Sequence, residues 1–458
     1  MWCFRHKEKR EQYHSCRKLP LQEIRRYFVF VILSSVIFLA LSSDRLSAQE
    51  NYVDLSKQRT LGDVPGGVKD VARQYGVDSQ IWTTQIYQGI ISGDDGGISR
   101  YGGKVDSFFK ITPEKLGILP GFHLDVQYEH YFGLDVNRLD DALIPVNTAQ
   151  AYLRAGGYHS ALSITGTQNL SDELSVTVGK FNLMTLASRT PLIGGGGLNT
   201  FMNRAFALPS TGVSYTSDTG GPGDRVVLSS PYSLGGMAEY KKDFLSLDLF
   251  LTDPRSAQSP RVIQHPFEEG VAIGGGIGFK TSLAALNGTH MFRGAYSNAT
   301  GINLSDISDF SGRLNSISGS GIKKGYWFGS YYFTQNLFQS GSDPEKGWGL
   351  FGLYTLSDGN PTPIKWSMLV GIAGDNLYEG RQDDRWGIGF YHFGVSQQLL
   401  TSLQQLDDPR KSEGGVEAFY NLALNKWSYL SADIQVINPW HPDKPIESLM
   451  SLRMQTRF

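Results

Sequence analysis

The chain has 458 residues, of which 53 are glycine, 12% are aromatic and only 19% are charged, with a formal net charge of −2. Because glycine exceeds its usual ~7% and charge falls short of the usual ~25%, a helical bundle or coiled coil is disfavoured. The mean hydropathy of −0.24 excludes a polytopic helical membrane protein, and the charge balance shows no footprint of nucleic-acid binding.

A secretory signal peptide is predicted over residues 1–48. Arg25 and Arg26 precede an apolar run at 27–41, and small residues follow before Gln49. Basic, apolar and small-residue regions in this order are the parts of such a signal. We therefore expect export from the cytoplasm.

Cleavage after Ser42 and retention as an inner-membrane anchor are the alternatives for this segment. The apolar run has about 15 residues, whereas a spanning helix needs ~20, so export is favoured. Both cysteines, Cys3 and Cys16, lie in the segment to be removed. The remaining chain therefore has no disulfide and no cysteine-ligated metal site.

Residues 49–78 are expected to form an N-terminal periplasmic segment. Four apolar residues in it lie at helical spacing: Val68, Val71, Ala72 and Tyr75. This spacing predicts a short amphipathic helix within 66–78. Two settings stay open for the helix, the periplasmic mouth of a barrel and a plain tether.

From about residue 79 onward, apolar and polar residues alternate, which indicates strands with two different faces. In the last strand Leu452 and Phe458 share the apolar face, while Arg453 and Arg457 share the other. A lipid-facing arginine near mid-membrane would cost about 2–4 kcal/mol, so both arginines are placed in a wet lumen. A terminal aromatic residue in this setting is typical of outer-membrane barrels, and Phe458 is the predicted membrane-insertion signal.

The predicted fold is all-β, a transmembrane antiparallel up-and-down barrel of about 16 strands over residues 79–458, with a short N-terminal helix before it. A soluble secreted sandwich is the alternative. The strands are predicted near 79–91, 100–110, 122–132, 158–168, 173–181, 233–240, 244–252, 271–280, 288–297, 323–338, 347–356, 365–373, 384–396, 414–424, 428–438 and 446–458. The long connections at 133–157, 182–232, 253–270 and 400–413 are expected on the outer side of the membrane.

Polar residues on the inner strand faces and in the connection 182–232 are the candidates for a solute pathway. A long outer loop commonly folds into the lumen of 16-stranded porins, and we expect this connection to form the constriction. The candidates are Asp125, Gln127, Glu129, Asn182, Asn203, Arg204, Arg225, Glu417, Asn421, Asp433, Gln435, Arg453 and Arg457. Charges of both signs in a lumen favour neutral polar solutes over ions of one sign.

No enzyme, metal site or cofactor is predicted. The nine histidines show no H-x-x-x-H spacing, and a G-x-S-x-G elbow is absent. Asp383 and Asp384 lie between Arg381 and Arg385, which favours a salt-bridged turn over a general acid–base pair. An outer-membrane barrel hydrolase is kept as a less favoured alternative.

Several segments resemble the carbohydrate-selective porin family of the OprB type. The C-terminal third carries the resemblance best, in GWGLFGLYTLSDGNPTPIKW (347–366), GRQDDRWGIGFYHFGVS (380–396) and GGVEAFYNLALNKWSYLSADIQVINP (414–439). VGKFN (178–182) and FMN (201–203) are similar to the fifth-strand region of the family, and LGD with the helix after it is similar to its N-terminal segment. Residues 133–157 match poorly, and LGDVPGG lacks the tryptophan-rich form often seen there.

The resemblance implies a 16-stranded outer-membrane barrel that passes glucose-like sugars by facilitated diffusion, without a cofactor. We expect small neutral sugars, outer-membrane lipid and the barrel-assembly machinery as partners, and a homotrimer by analogy with other porins. A general or anion-preferring diffusion porin is the alternative function.

Overall fold

The computed structural model describes residues 58–137, 142–151, 159–187, 190–207, 215–217, 226–228, 232–254, 263, 265–268, 270–310, 317–319, 321–340, 346–378 and 380–458. The predicted signal peptide at 1–48 lies outside these residues, and so does Arg225, one of the candidates for the constriction.

The described chain consists mainly of antiparallel strands. In chain order they are β1 (Val77–Ser92), β2 (Ser99–Ile111), β3 (Phe122–Gly133), β4 (Ser160–Asn169), β5 (Leu174–Asn182), β6 (Tyr215–Ser217), β7 (Val226–Leu228), β8 (Tyr232–Lys242), β9 (Leu245–Thr252), β10 (Ala272–Leu283), β11 (Leu286–Ile302), β12 (Ile307–Phe310), β13 (Ile317–Gly319), β14 (Ile322–Gln339), β15 (Gly347–Ser357), β16 (Ile364–Asp375), β17 (Arg385–Val395), β18 (Glu413–Asn425), β19 (Ser428–Asn438) and β20 (Glu447–Arg457). Strands β6 with β7 and β12 with β13 form two separate hairpins.

The other sixteen strands close into one barrel, in which each strand pairs with its neighbours in chain order and β20 pairs with β1. This closure satisfies the backbone N–H and C=O groups of every barrel strand, as a membrane-spanning sheet requires. Each of the sixteen predicted strands coincides with a barrel strand. The predicted 16-stranded antiparallel barrel is therefore confirmed.

The two ends of the barrel differ in their connections. The start of β1 and the end of β20 lie at one end, which we call the terminal end, together with short turns such as 426–427 and 284–285. The opposite end, the loop end, carries the long connections, among them 183–231 and 396–412. Alternation of short and long connections is what outer-membrane barrels show.

Within the described residues, three α-helices accompany the strands: α1 (Val68–Gln74), α2 (Leu183–Ala187) and α3 (Gln397–Gln405). The sequence predicted only α1. In α3, Leu399 and Leu403 are fully buried four residues apart, while most of the helix is polar. Short 3₁₀ turns lie at Pro113–Leu116, Thr148–Gln150 and Arg204–Phe206. No helix in the described part of the chain is long and apolar enough to cross a membrane.

The barrel strands present one apolar face outward and one mainly polar face inward. In β20, Met450 and Leu452 are 54% and 55% exposed on the outer surface, whereas Arg453 is only 1% exposed. Exposed aromatic residues flank the outer apolar band toward both ends: Tyr87, Tyr101, Tyr296, Trp327 and Tyr354 toward the loop end, and Phe109, Phe338 and Phe458 toward the terminal end. An apolar band between two aromatic girdles is typical of a barrel surrounded by lipid.

Helix α1 lies at the terminal end, but its burial is the reverse of a usual amphipathic helix. The Lys69 ammonium is buried and donates to Thr60 Oγ1 at 2.8 Å, whereas Val68 and Tyr75 are 69% and 61% exposed. Burial works to raise the pKa of Asp63, but its hydrogen bond with Arg73 and the positive charge of Lys69 hold that pKa below its usual range. Ion pairs, rather than apolar contacts, therefore fix the helix to the chain around it.

Candidate solute pathway

The chain that follows β5 folds into the interior of the barrel. We call residues 183–187 and 190–207 the inserted loop. Its residues Met202 and Asn203 are fully buried, and their backbone N–H groups donate to the carboxylate of Glu417 on the inner face of β18. Since β5 and β18 lie on nearly opposite sides of the ring, the inserted loop crosses the lumen.

Two further inward side chains hold the tip of the inserted loop. Arg453 on β20 donates to the carbonyl oxygens of Gly197 at 2.6 Å and Thr200 at 3.0 Å. Gln435 on β19 accepts a hydrogen bond from Asn203 Nδ2 at 3.2 Å. Gly197 adopts a φ of +79°, a conformation that favours glycine, so the glycine run lets the backbone turn toward Arg453.

An aromatic cluster packs the inserted loop against the same wall. The ring of Phe201 lies 4.3 Å from that of Phe206 and 4.9 Å from that of Phe419 on β18. A Cβ at Gly389 on β17 would collide with Phe206, so this inner glycine leaves the space that the ring fills. Buried aromatic pairs of this kind contribute about 0.5–1.5 kcal/mol each beyond the area they bury.

A second buried cluster holds both ends of the connection between β5 and β8. Glu129, on the inner face of β3, accepts hydrogen bonds from Lys104 Nζ at 2.8 Å and Asn182 Nδ2 at 2.9 Å, and from the Tyr232 hydroxyl. Lys104 Nζ is also 3.1 Å from Asp106 Oδ1. Asn182 is the last residue of β5 and Tyr232 is the first residue of β8, so the Glu129 carboxylate binds both ends of the connection between these two strands.

The candidates from the sequence fall into two buried groups and a few separate residues. The first group surrounds Glu129 and contains Gln127, Glu129 and Asn182. The second lies beneath the tip of the inserted loop and contains Asn203, Arg204, Glu417, Asn421, Asp433, Gln435 and Arg453, each at most 4% exposed. Their hydrogen bonds join them to the inserted loop, to each other, or to other inner side chains such as Lys104, Tyr232 and Ser431.

Asp125 and Arg457 join neither group. Asp125 faces the lumen, with its Oδ2 atom 3.2 Å from His123 Nε2 and its side chain 46% exposed. Arg457 lies near the terminal end, where its guanidinium stacks between the rings of Trp82 and Tyr429 at 4.5 and 4.6 Å. Arg457 therefore links β20 to the strands on both sides of it.

The inner wall of β8–β11 carries accessible polar side chains that the sequence reasoning did not select. They include Glu239, Asp248 and Arg293, and the Arg293 side chain is 41% exposed. In the sequence of β9 the leucines at 245, 247, 249 and 251 share one face, and this alternation places Asp248 on the polar face. Arg293 had no such signal, because glycines interrupt the pattern around it.

Asp383 and Asp384 form part of the turn before β17 and bind different partners. Asp384 accepts two hydrogen bonds from Arg381, at 2.7 and 2.9 Å, while Asp383 Oδ1 lies 3.3 Å from Lys346 Nζ. Burial works to raise the pKa of Asp384, but the hydrogen bonds from Arg381 and Tyr420 hold it below its usual range. The two carboxylates therefore serve a salt-bridged turn. Among the described residues, no group of three or more His, Cys, Asp or Glu is placed to hold a metal ion.

A closed barrel with an apolar outer band, a polar inner face and a loop folded into its lumen is a porin. The family model of the carbohydrate-selective porin, OprB family, matches residues 101–458. The chain therefore belongs to the carbohydrate-selective porin family of the OprB type, and the resemblance seen in the sequence is confirmed. Fold and family indicate a channel rather than an enzyme, and they imply an outer-membrane location.

Solved structures support the fold. The chain is similar to the high-pH structure of Pseudomonas putida OprB, with a TM-score of 0.72 and 16% identity over 88% of this chain and 99% of that one. It is also similar to the low-pH structure of Pseudomonas putida OprB, with a TM-score of 0.50, 14% identity and the same coverage of both chains. No curated protein sequence matches the chain.

Proposed function

We propose that the protein conducts glucose-like neutral sugars through the space between the inserted loop and the wall of β8–β11. The observation that carries this proposal is the fixed position of the inserted loop, which is hydrogen-bonded to Glu417, Gln435 and Arg453 on one side of the ring. Strand β10 stands opposite β20 in the ring, so the strands that hold the tip of the loop lie across the lumen from the wall of β8–β11. The solute moves down its gradient without a chemical step.

In this proposal the predicted pathway residues divide by task. The buried residues around Glu129 and Glu417 set the width of the passage by holding the inserted loop, and they do not touch solute in transit. Asp125, which faces the open lumen, contacts solute directly. Arg225 stays a proposed constriction residue.

The wall opposite the inserted loop suits neutral polar solutes. It carries both carboxylates and cations, as in the ion pair of Arg293 Nη2 with Asp248 Oδ1 at 3.0 Å. A single-sign ring would promote ions of the opposite sign, whereas paired charges offer donors and acceptors without a net field. Contacts must also stay weak, because a solute that binds tightly does not leave.

The setting of the channel is also proposed. Export through the signal peptide at 1–48, with Phe458 as the insertion signal for the assembly machinery, brings the chain to outer-membrane lipid. The exposed apolar band of the barrel supports the lipid contact. A homotrimer is proposed by analogy with other porins.

Liposome swelling tests the transport proposal. Purified protein in liposomes should admit glucose faster than gluconate, an anion of similar size, and protein-free liposomes should admit neither. Equal rates, or faster entry of gluconate, would favour a general or anion-preferring porin instead. If planar bilayers show no channels at all, the proposal is wrong.

A further inference from the structure

One row of inward residues crosses the wall of β8–β11 in register. Glu239 on β8 lies opposite Asp248 on β9, which lies opposite Gly276 on β10, which lies opposite Arg293 on β11. Residues directly opposite each other in antiparallel strands point to the same side of the sheet. Asp248 and Arg293 therefore face the lumen on either side of a residue without a side chain.

Gly276 allows the two charged side chains to meet. Arg293 Nη2 lies 3.0 Å from Asp248 Oδ1, although the two residues are two strands apart. A Cβ at Gly276 would collide with Asp248 Oδ2 and would lie 3.3 Å from Arg293 Nε. Glycine at this position therefore leaves the space between the two charged groups in which the ion pair forms.

The ion pair keeps hydrogen-bonding capacity on its lumen side. Of the five N–H groups of Arg293, only one at Nη2 is bonded within the described chain, and Asp248 Oδ2 accepts no hydrogen bond there. The exposed fractions of the two side chains are 41% and 12%. Donors and an acceptor therefore stand side by side at the edge of the passage.

An aromatic ring completes this corner of the wall. Phe250 follows Asp248 by two residues on the same inner face of β9 and is partly exposed. Its ring covers Gly274, where a Cβ would collide with Phe250 Cζ. A few placed polar groups beside an aromatic surface are the usual composition of a small-molecule site.

We propose that Asp248, Arg293 and Phe250 form a contact site for a hexopyranose in transit, on the wall opposite the inserted loop. Arg293 donates to one sugar hydroxyl, Asp248 accepts from the neighbouring hydroxyl, and the Phe250 ring packs against the C–H face of the sugar. This inference rests on the proposed transport of neutral sugars. It adds the residues that recognise the solute.

Glucose titration of the ion current in planar bilayers tests the site. Glucose in the passage should reduce the current of the wild-type channel, with a midpoint concentration that measures its affinity. Removing a hydrogen bond to a charged group in R293Q or D248N should raise this midpoint about tenfold. F250L should raise it about threefold, since it keeps an apolar side chain without the ring face.

Two further variants control the experiment. G276A keeps both charges but puts a methyl group between them, so its midpoint should also rise about tenfold. K346Q/D383N removes an ion pair of 3.3 Å from the turns at the terminal end and should leave the midpoint unchanged. The shift of barrel mobility on gels after heating shows that each variant is folded.

The outcomes separate the two proposals. If the wild-type current falls with glucose but R293Q, D248N and F250L keep the wild-type midpoint, the site is wrong and transport stands. If glucose neither reduces the wild-type current nor swells wild-type liposomes, the transport proposal is wrong and the site falls with it. Each variant alters one partly exposed position, so every variant that folds tests its own contact even if another does not fold.

Discussion

Two buried carboxylates on separate strands, Glu129 on β3 and Glu417 on β18, have the same task in this barrel. Glu129 receives hydrogen bonds from Lys104, Asn182 and Tyr232, and Glu417 receives two from the backbone of the inserted loop. A carboxylate out of contact with water is tolerated only when such donors replace its hydration. The burial of each glutamate therefore depends on the folded position of the residues that supply these donors.

The first prediction concerns Glu129. The change E129Q should lower the stability of the barrel by about 3 kcal/mol, because it leaves a buried lysine with a weaker partner. The temperature at which the barrel loses its compact gel mobility should fall. D125N, on the same face of the same strand but 46% exposed, is the matched control and should change that temperature little. An equal shift in both variants would contradict the role given to Glu129.

The sequence placed both glutamates on the inner face but did not show that they are buried. Alternation along β3 and β18 reveals which side of a strand a residue takes, because that depends only on near neighbours. The partners of these carboxylates are remote in sequence: Tyr232 lies 103 residues from Glu129, and Met202 lies 215 residues from Glu417. Pairings of that range have no local pattern from which to read them.

At the scale of elements, the positions of the strands were predictable from the sequence, whereas the helix within the connection 396–412 was not. Each barrel strand carries its own period-two pattern, so its position follows from about ten residues. In α3 only Leu399, Ser402 and Leu403 are buried, and its other residues are polar except Leu400. The helix is stabilised by neighbouring loops, for instance through the hydrogen bond from Ser402 to the Leu304 carbonyl oxygen at 2.8 Å. α1 was predicted from apolar spacing, yet its apolar side is the exposed one.

The second prediction concerns the inserted loop as an element. F201A removes the ring at the centre of the aromatic cluster, and core substitutions of this kind cost about 3–5 kcal/mol. We expect the inserted loop to leave the wall part of the time, so single-channel conductance should rise and fluctuate, and trisaccharides should enter liposomes faster. F244A alters an exposed phenylalanine in a turn at the terminal end and should leave conductance unchanged. A quiet channel of normal conductance in F201A would show that other contacts hold the loop.

At the scale of the whole molecule, the outer face decides whether the barrel is stable in lipid. The third prediction is that L452R, which places a charge on the outer apolar face, lowers barrel stability in lipid by about 2–4 kcal/mol. The fraction of heat-modifiable barrel in isolated membranes should therefore fall. T165R puts the same charge on the inner face of β4, opposite Asp125, and should assemble normally. If T165R fails and L452R assembles, the two faces have been assigned the wrong way round.

Neighbouring barrel strands follow each other along the chain at every position but one. Strand β20 pairs with β19, which precedes it in the chain, and with β1, the first strand of the barrel. The Arg457 guanidinium lies between an aromatic ring from each of these two strands. A copy cut short by premature termination would leave two bare edges of N–H and C=O groups, which hydrocarbon cannot satisfy. Barrel closure therefore selects against prematurely terminated copies, because only copies that include β20 can persist in the bilayer.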